Sequence, residues 1–253
     1  MTDTSQVRDP AAREFLDRRL ADIERIFAPE HVILFGSRAT GDARADSDID
    51  LILVSDRFKG VRFPDRMADF LVKIRPDPDV EAFCYTPEEF EEMTGRIGVI
   101  ADAAREGIWV LGRRRLARRM GGRRMGVAEQ VKQWLAEADI DLAAASGLLE
   151  EGPHARSAFF SQQAAEKALK ALYMFVHRAT PPKTHDVGKL AADLCAPDGL
   201  KSAAEPMTGD YMASRYPDAA PAVGSAYTRQ LAESRLGDAR AIVEWVRAQV
   251  GSK

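Results

Sequence analysis

The sequence predicts an α+β domain followed by an all-α bundle. Three observations carry this. Short apolar strand-like runs alternate with amphipathic helical runs up to about residue 111, every later periodic segment is helical, and an Arg-rich stretch separates the two regimes. Residues 112–126, GRRRLARRMGGRRMG, hold seven Arg and no acid, between a block with a net charge of −8 (1–111) and one of −2 (127–253). A single-sign run between two acidic blocks marks a linker. The expected organisation is therefore 1–111, a 112–126 linker and 127–253.

In the first domain, Pro10–Phe27 places Phe15, Leu16, Leu20, Ile23, Ile26 and Phe27 at helical steps, with Pro10 tolerated in the first turn and Pro29 beyond the end. His31–Phe35 is a short apolar strand broken by Gly36-Ser37, and residues 38–47 read as a polar, turn-rich loop. Ile49–Val54 is almost wholly apolar, as a central strand would be. Phe63–Ile74 has a helical apolar face, Pro76-Asp77-Pro78 is a loop, and Val80–Tyr85 is a third strand. Thr86-Pro87 starts a helix, Thr86 as cap and Pro87 at the first position. Residues 97–111 read as a helix and a short strand.

In the second domain, 127–150 and 154–178 each carry one apolar helical face. The loop TPPKTHD leads to a short helix at 187–195 and a further helical stretch to about Ser214. Arg215-Tyr216-Pro217-Asp218 interrupts the pattern, and a last helix covers roughly 223–249. Helices joined by short loops predict an up-and-down bundle.

Composition narrows the class. With 45% hydrophobic and 30% charged residues the chain is globular rather than disordered. The polar N-terminus is not a signal peptide, and no run reaches the ~20 apolar residues of a membrane span. Cys84 and Cys195 match no metal-finger spacing, which predicts reduced thiols and a cytoplasmic protein.

The informative constellation is Gly36-Ser37, ten residues, then Asp48-Ile49-Asp50. A Gly-Ser turn after a strand lets backbone approach a phosphate, with the hydroxyl and amides bonding its oxygens. Asp48 and Asp50, two apart, face the same way. Two carboxylates on one face call for a cation, and oxygen ligands without His or Cys favour Mg²⁺. A third acid would bind a second metal or take a proton from an attacking hydroxyl. Glu81 is the candidate, with Asp79 the fallback at the same parity. The Asp46, Asp48, Asp50 series is not a calcium loop, since Leu51 stands where Gly is needed. No Walker loop is present.

GSRATGDARADSDIDLILV and the later VEAFCYTPEEFEEM resemble the minimal nucleotidyltransferases, the MNT group of the polymerase-β-like superfamily, over about residues 12–110. The resemblance implies a mixed sheet with flanking helices and a site in which Gly36 and Ser37 hold the triphosphate of ATP or another nucleoside triphosphate. Asp48 and Asp50 would bind Mg²⁺, and Glu81 would complete the catalytic and metal-binding set. Glu replaces the commoner Asp at that third position. Arg38 and Arg44, read as exposed loop residues, either contact phosphate or are plain surface residues.

AEADIDLAAASGLLEEGPHARSAFFSQQAAEKALKALYMF, KTHDVGKL and SRYPD resemble a HEPN domain, a four- to five-helix bundle, over about 128–247. Many such domains are ribonucleases using Arg, four to six residues, then His. Arg178 and His185 match that spacing, although nuclease members carry the motif later in the bundle. Gln162/Glu166 and Gln163/Lys167 are i, i+4 pairs that form either an interhelical polar cluster or a ligand site. Lys183 and His185 precede a helix start, where an anion could bind, and either Arg215 and Tyr216 complete a phosphate pocket or Tyr216 and Pro217 simply pack a turn. Such modules imply a homodimer.

MNT–HEPN pairs further imply transfer of AMP to a protein hydroxyl in a toxin–antitoxin context, with Tyr211, Tyr216 or Tyr227 as acceptors within the chain or a partner HEPN protein as target. The Arg-rich linker is either an RNA-binding element or a solvated hinge.

Overall fold

The computed structural model describes residues 4–251 except 46, 78, 113–124 and 216–226, and the side chains of 212–215 are not described. The chain divides into two compact units, Met1–Arg124 and Met125–Lys253.

The first unit is built on a four-stranded mixed sheet, β1 (His31–Phe35), β2 (Ile49–Val54), β3 (Val80–Tyr85) and β4 (Ile108–Leu111), in the order β3-β2-β1-β4. β1 is antiparallel to both β2 and β4, whereas β2 and β3 are parallel. Helices α1 (Pro10–Phe27), α2 (Ser37–Thr40), α3 (Phe63–Ile74), α4 (Pro87–Thr94) and α5 (Val99–Glu106) surround it.

Both faces are covered, which is why β2 is apolar at every position but one. Val32, Leu34, Leu51 and Leu53 pack with Phe15, Ile23, Phe70 and Ile74 of α1 and α3. Ile33, Phe35, Ile52 and Val54 pack with Phe90, Ile100 and Ala103 of α4 and α5. Helix α2 departs from the sequence expectation, because Ser37 and the start of the loop read at 38–47 close into one helical turn. The Gly36 carbonyl accepts from the amides of Ala39 and Thr40 at 3.1 Å.

Asp9 caps α1 by accepting from the Ala12 amide at 2.8 Å. Thr86 and Glu89 form a reciprocal capping box on α4, as Thr-Pro-Glu-Glu predicts. Arg66 is buried on α3 and donates to the Val61 carbonyl (2.8 Å), the Cys84 carbonyl (3.2 Å) and Glu89 (2.9 Å), joining α3, β3 and α4.

The second unit contains α6 (Val127–Glu151), α7 (His154–His177), α8 (Val187–Asp193), α9 (Asp198–Ala204), α10 (Met207–Arg215) and α11 (Arg229–Gly251). Its core joins Ala138 of α6, Leu169 and Leu172 of α7, Leu190 of α8 and Ile242 and Val246 of α11. The last helix is described from Arg229, so the residues expected to begin it at 223–226 lie outside the described ones. So does most of the Arg-rich stretch.

Candidate functional site

The Gly36-Ser37 turn, the start of β2 and the start of β3 meet at one end of the sheet. The register pairs Phe35 with Asp50 across β1/β2 and Asp50 with Glu81 across β2/β3. Asp50 shares the face of Ile52 and Val54, and Glu81 that of Phe83 and Tyr85. The two acids are therefore cross-strand neighbours on the α4/α5 side of the sheet. Asp79, the fallback, stands before β3 and uses its carbonyl to accept the Ile49 amide at 2.9 Å.

Gly36 is the tightest point of this end. Its φ is +72°, a left-handed conformation that favours glycine, and a Cβ built on it would lie 1.8 Å from Asp50 Oδ2. The Asp50 carboxylate thus rests against the backbone of the Gly-Ser turn. Asp50 is half-buried, Ser37 is half-buried, and Glu81 is exposed.

Asp48 stands in the loop just ahead of β2, so the strand ladder does not fix its side chain as it fixes that of Asp50. Among the described residues, no three Asp, Glu, His or Cys side chains converge as a ready-made metal cluster. The register makes Asp50 and Glu81 neighbours, and Asp48 stands two residues before Asp50 in the chain. The donor set still fits a hard cation, because it offers only carboxylate oxygens, held next to backbone that a side chain would displace.

Arg38 corrects a second expectation. It is not an exposed loop residue but 5% exposed on α2, where its guanidinium meets Asp9 (3.1 and 3.2 Å), the Ser47 carbonyl (Nε, 2.9 Å) and the Ala45 carbonyl (3.3 Å). Arg44 is exposed, and its amide donates to Ser47 Oγ at 2.9 Å.

In the helical unit the structure separates Arg178 from His185. Arg178 ends α7 in a left-handed conformation with its guanidinium 5.5 Å from the Phe175 ring. His185 reaches back to Glu166, its Nδ1 lying 3.1 and 3.2 Å from the two carboxylate oxygens. Glu166 precedes Arg178 on α7 by roughly 18 Å of axis at ~1.5 Å per residue, so the Arg–six–His spacing does not build a joint site. The Pro-Pro loop breaks the helix that would have kept the two together.

Glu166 is instead the centre of a buried cluster. It accepts from Gln162 Nε2 (2.8 Å) and Lys170 Nζ (2.8 Å), and Gln163 donates to Gln162 Oε1 at 2.6 Å. The His185 ring stacks on Tyr211 at 3.9 Å and 10°. Lys167 turns to Asp141 of α6 at 2.6 Å, an interhelical contact of the kind one of the two readings of these residues expects. Sequence reasoning found Gln162/Glu166 by spacing. It missed the joining of His185 and Tyr211 to this pair because the turn back from α7 alone brings them in.

Of the acceptor candidates, Tyr227 is buried and donates its hydroxyl to Asp210 at 2.8 Å, so it is not an open acceptor. Asp210 also takes Arg235 Nε at 2.7 Å. Burial raises the Asp210 carboxyl above its ordinary range, and burial, then Asp210, raises the Tyr227 hydroxyl. Tyr211 is half-buried. The side chain of Arg215 and all of Tyr216 lie outside the described residues. Cys84 is buried, which pushes its thiol up to about 12, and Cys195 is exposed; neither is in a disulfide. No described helix is long and apolar enough to cross a membrane.

Comparison with known proteins matches a nucleotidyltransferase domain over residues 16–107 and a HEPN domain over 131–249. Among solved structures, TT1696 from Thermus thermophilus is 37% identical over 47% of this chain and 97% of its own, with a TM-score of 0.44. ST0689, an archaeal HEPN homologue, is 30% identical with the same two coverages and a TM-score of 0.42. A nucleotidyltransferase-like protein from Exiguobacterium sibiricum 255-15 is 11% identical over 94% of this chain and 76% of its own, at 0.43. No curated protein matches the chain.

Proposed function

Since the chain belongs to the HEPN family through its C-terminal half and carries a nucleotidyltransferase domain ahead of it, we propose that it is an Mg²⁺-dependent enzyme moving a nucleoside monophosphate, AMP from ATP, to a hydroxyl acceptor. One observation carries the proposal. The Asp50 carboxylate lies against Gly36, so a phosphate-binding turn and a metal-binding acid share one end of the sheet.

In this reading the amides and hydroxyl of Gly36-Ser37 hold the triphosphate, and Asp48 and Asp50 hold the cation. Bound Mg²⁺ would supply charge neutralisation for the phosphates and the leaving pyrophosphate. The acceptor oxygen forms a bond to the α-phosphorus, the bond to pyrophosphate breaks, and Glu81 takes the hydroxyl proton. Glu81 suits that role because it is exposed and next to Asp50 in the ladder. The acceptor we favour is a tyrosine of this chain or of a partner HEPN protein, in a toxin–antitoxin setting in the cytoplasm. Tyr227 is the weaker of the described candidates, because it is buried and its hydroxyl is bonded to Asp210. A homodimer formed through the helical unit and RNA binding by the Arg-rich stretch belong to the same proposal. The domain limits remain those of 1–111, 112–126 and 127–253.

The test is incubation of the full chain with α-labelled ATP and Mg²⁺, scoring pyrophosphate release and label on protein, RNA and an aminoglycoside. Transfer that Asp48→Asn and Asp50→Asn abolish supports the proposal. No transfer to any acceptor by the wild-type chain refutes it.

A second reading, a ribonuclease regulated by the nucleotidyltransferase domain, draws on the anchoring of His185 Nδ1 by Glu166, which leaves Nε2 for proton transfer. It no longer includes Arg178. RNA cleavage by the full chain that His185→Ala stops and Arg178→Ala spares would favour it, and RNA left intact by the wild type both with and without ATP and Mg²⁺, and by Asp50→Asn, would end it.

A further inference from the structure

Arg38 is a buried cation of the first unit whose partners lie in the loop ahead of Asp48 and at the start of α1. The side chain leaves α2 one residue after Ser37 and runs to the loop that carries Asp48. Its guanidinium donates to the carbonyls of Ser47 and Ala45, the first of them the residue just ahead of Asp48. The other end of the fork meets Asp9, whose Oδ1 also accepts the Ala12 amide at the start of α1. Asp9 is itself held in place. Arg13 Nε donates to the Val7 carbonyl at 2.9 Å and its Nη2 to the Thr4 carbonyl at 3.0 Å, strapping residues 4–7 against α1, with Val7 fully buried.

A buried guanidinium is stable only with its donors satisfied, and here carbonyls and one carboxylate satisfy them. The two carbonyls belong to a loop whose own bonding includes the Arg44–Ser47 turn (2.9 and 3.2 Å) and, among its described residues, no strand or helix ladder. The Asp48 side chain is not set by a strand ladder either, so the placement of Ala45 and of Ser47, its chain neighbour, bears on where its carboxylate stands relative to Asp50.

We infer that Arg38 is a positioning residue, which fixes the Asp48 loop against the N-terminal strap through Asp9 and so sets the distance between the metal-binding acids. The inference rests on the nucleotidyltransferase reading above for its catalytic consequence, but not for its structural one. Arg38 contacts no phosphate in this role, since its nitrogens are already turned toward Asp9 and the two carbonyls. The fork geometry matters, because an ammonium could reach Asp9 or a carbonyl but not all three at once.

The experiment uses the full chain as wild type, Arg38→Gln, Arg38→Lys and Asp9→Asn, with Arg66→Gln as a control that removes an equally buried Arg outside this loop. Amide exchange, Mn²⁺ binding in the presence of ATP, pyrophosphate release and thermal unfolding are measured on each. Arg38→Gln is expected to speed exchange of the Arg44 and Ser47 amides and to weaken Mn²⁺ binding about 10-fold, as loss of a supporting contact around a metal site does. Turnover is expected to fall about 100-fold, as for a misplaced reacting group, with the KM for ATP within about threefold of wild type. Arg38→Lys and Asp9→Asn should fall between.

A raised KM with unchanged turnover and exchange would mean that Arg38 contacts phosphate, and the inference is wrong. Equal losses in Arg66→Gln at a matched fall in Tm also overturn it, as general destabilisation. Exchange and Mn²⁺ binding that respond to Arg38→Gln in a chain releasing no pyrophosphate leave the strut standing and remove the transferase reading. Turnover with unmoved exchange and Mn²⁺ binding does the reverse.

Discussion

The carboxylate of Asp50 occupies the space that a side chain at residue 36 would need, with Oδ2 1.8 Å from a Cβ built on Gly36. Gly36→Ala must therefore either move Asp50 or open the turn, and Ala at φ +72°, ψ −159°, a region essentially reserved to glycine, adds a conformational cost of about 1–3 kcal/mol. The expected outcome is a lower Tm together with at least a ~100-fold loss of pyrophosphate release. Full activity at reduced Tm would show that the close approach has no catalytic use.

The parallel register separates the two candidates for the third acid. Glu81 is level with Asp50, while Asp79 serves β2 through its backbone carbonyl. Glu81→Gln should lower nucleotidyl transfer by about 10²-fold or more, the scale of losing a general base. Asp79→Asn keeps the carbonyl and should stay within about threefold of wild type on the same scale. The assay is initial rate against ATP at saturating Mg²⁺, and equal losses for both variants would reject the assignment.

Arg66 ties three elements of the first unit together, and its hydrogen bonds hold the Glu89 carboxyl below its ordinary value of 4.5. A depressed carboxylate stabilises the fold above its unfolded pKa, and that contribution disappears as pH falls through the lower folded value. Urea midpoints measured between pH 7 and pH 3 should fall more steeply for wild type than for Glu89→Gln. The Glu89 side chain is 42% exposed, so solvent screening keeps its share small. Arg66→Ala, which strips two carbonyls of their partner as well, should cost about 1–3 kcal/mol in urea unfolding at pH 7.

Tyr227 and Asp210 form a buried pair that Arg235 completes. Tyr227→Phe leaves Asp210 Oδ1 without the hydroxyl and should destabilise the helical unit by about 1–3 kcal/mol. Labelling by α-labelled ATP should be unchanged in this variant, and loss of label without loss of stability would make Tyr227 an acceptor after all. Burial also raises the Tyr227 hydroxyl above its ordinary value of 10.0. The unfolded chain therefore loses this proton first, and stability falls as pH climbs from about 10 through the raised folded value. Wild type should lose stability in strong alkali that Tyr227→Phe does not.

Local patterns were legible where one segment determined its own state. The strands at 31–35, 49–54 and 80–85 and the helices starting at Pro10, Phe63 and Pro87 stand where apolar spacing, Pro and capping residues put them. The close approach at Gly36 was legible for the same reason, since a backbone that another side chain crowds needs glycine after the strand. Arg38 was misread because a polar run with glycine looks solvated, and nothing local announces that Asp9, 29 residues away, takes its charge. Arg178 and His185 were a matching interval in the chain that a Pro-Pro loop pulled apart in space.

The amino-acid order alone determined the two-part architecture and singled out Gly36-Ser37, Asp48 and Asp50, because periodicity, turn residues and charge act within a few positions of one another. Only the tertiary structure decided that Glu81 rather than Asp79 stands level with Asp50, that Arg38 is turned inward, and that His185 belongs to Glu166. Those choices depend on strand register and on which distant groups satisfy a buried charge, and both are settled by packing between segments that the chain itself keeps far apart.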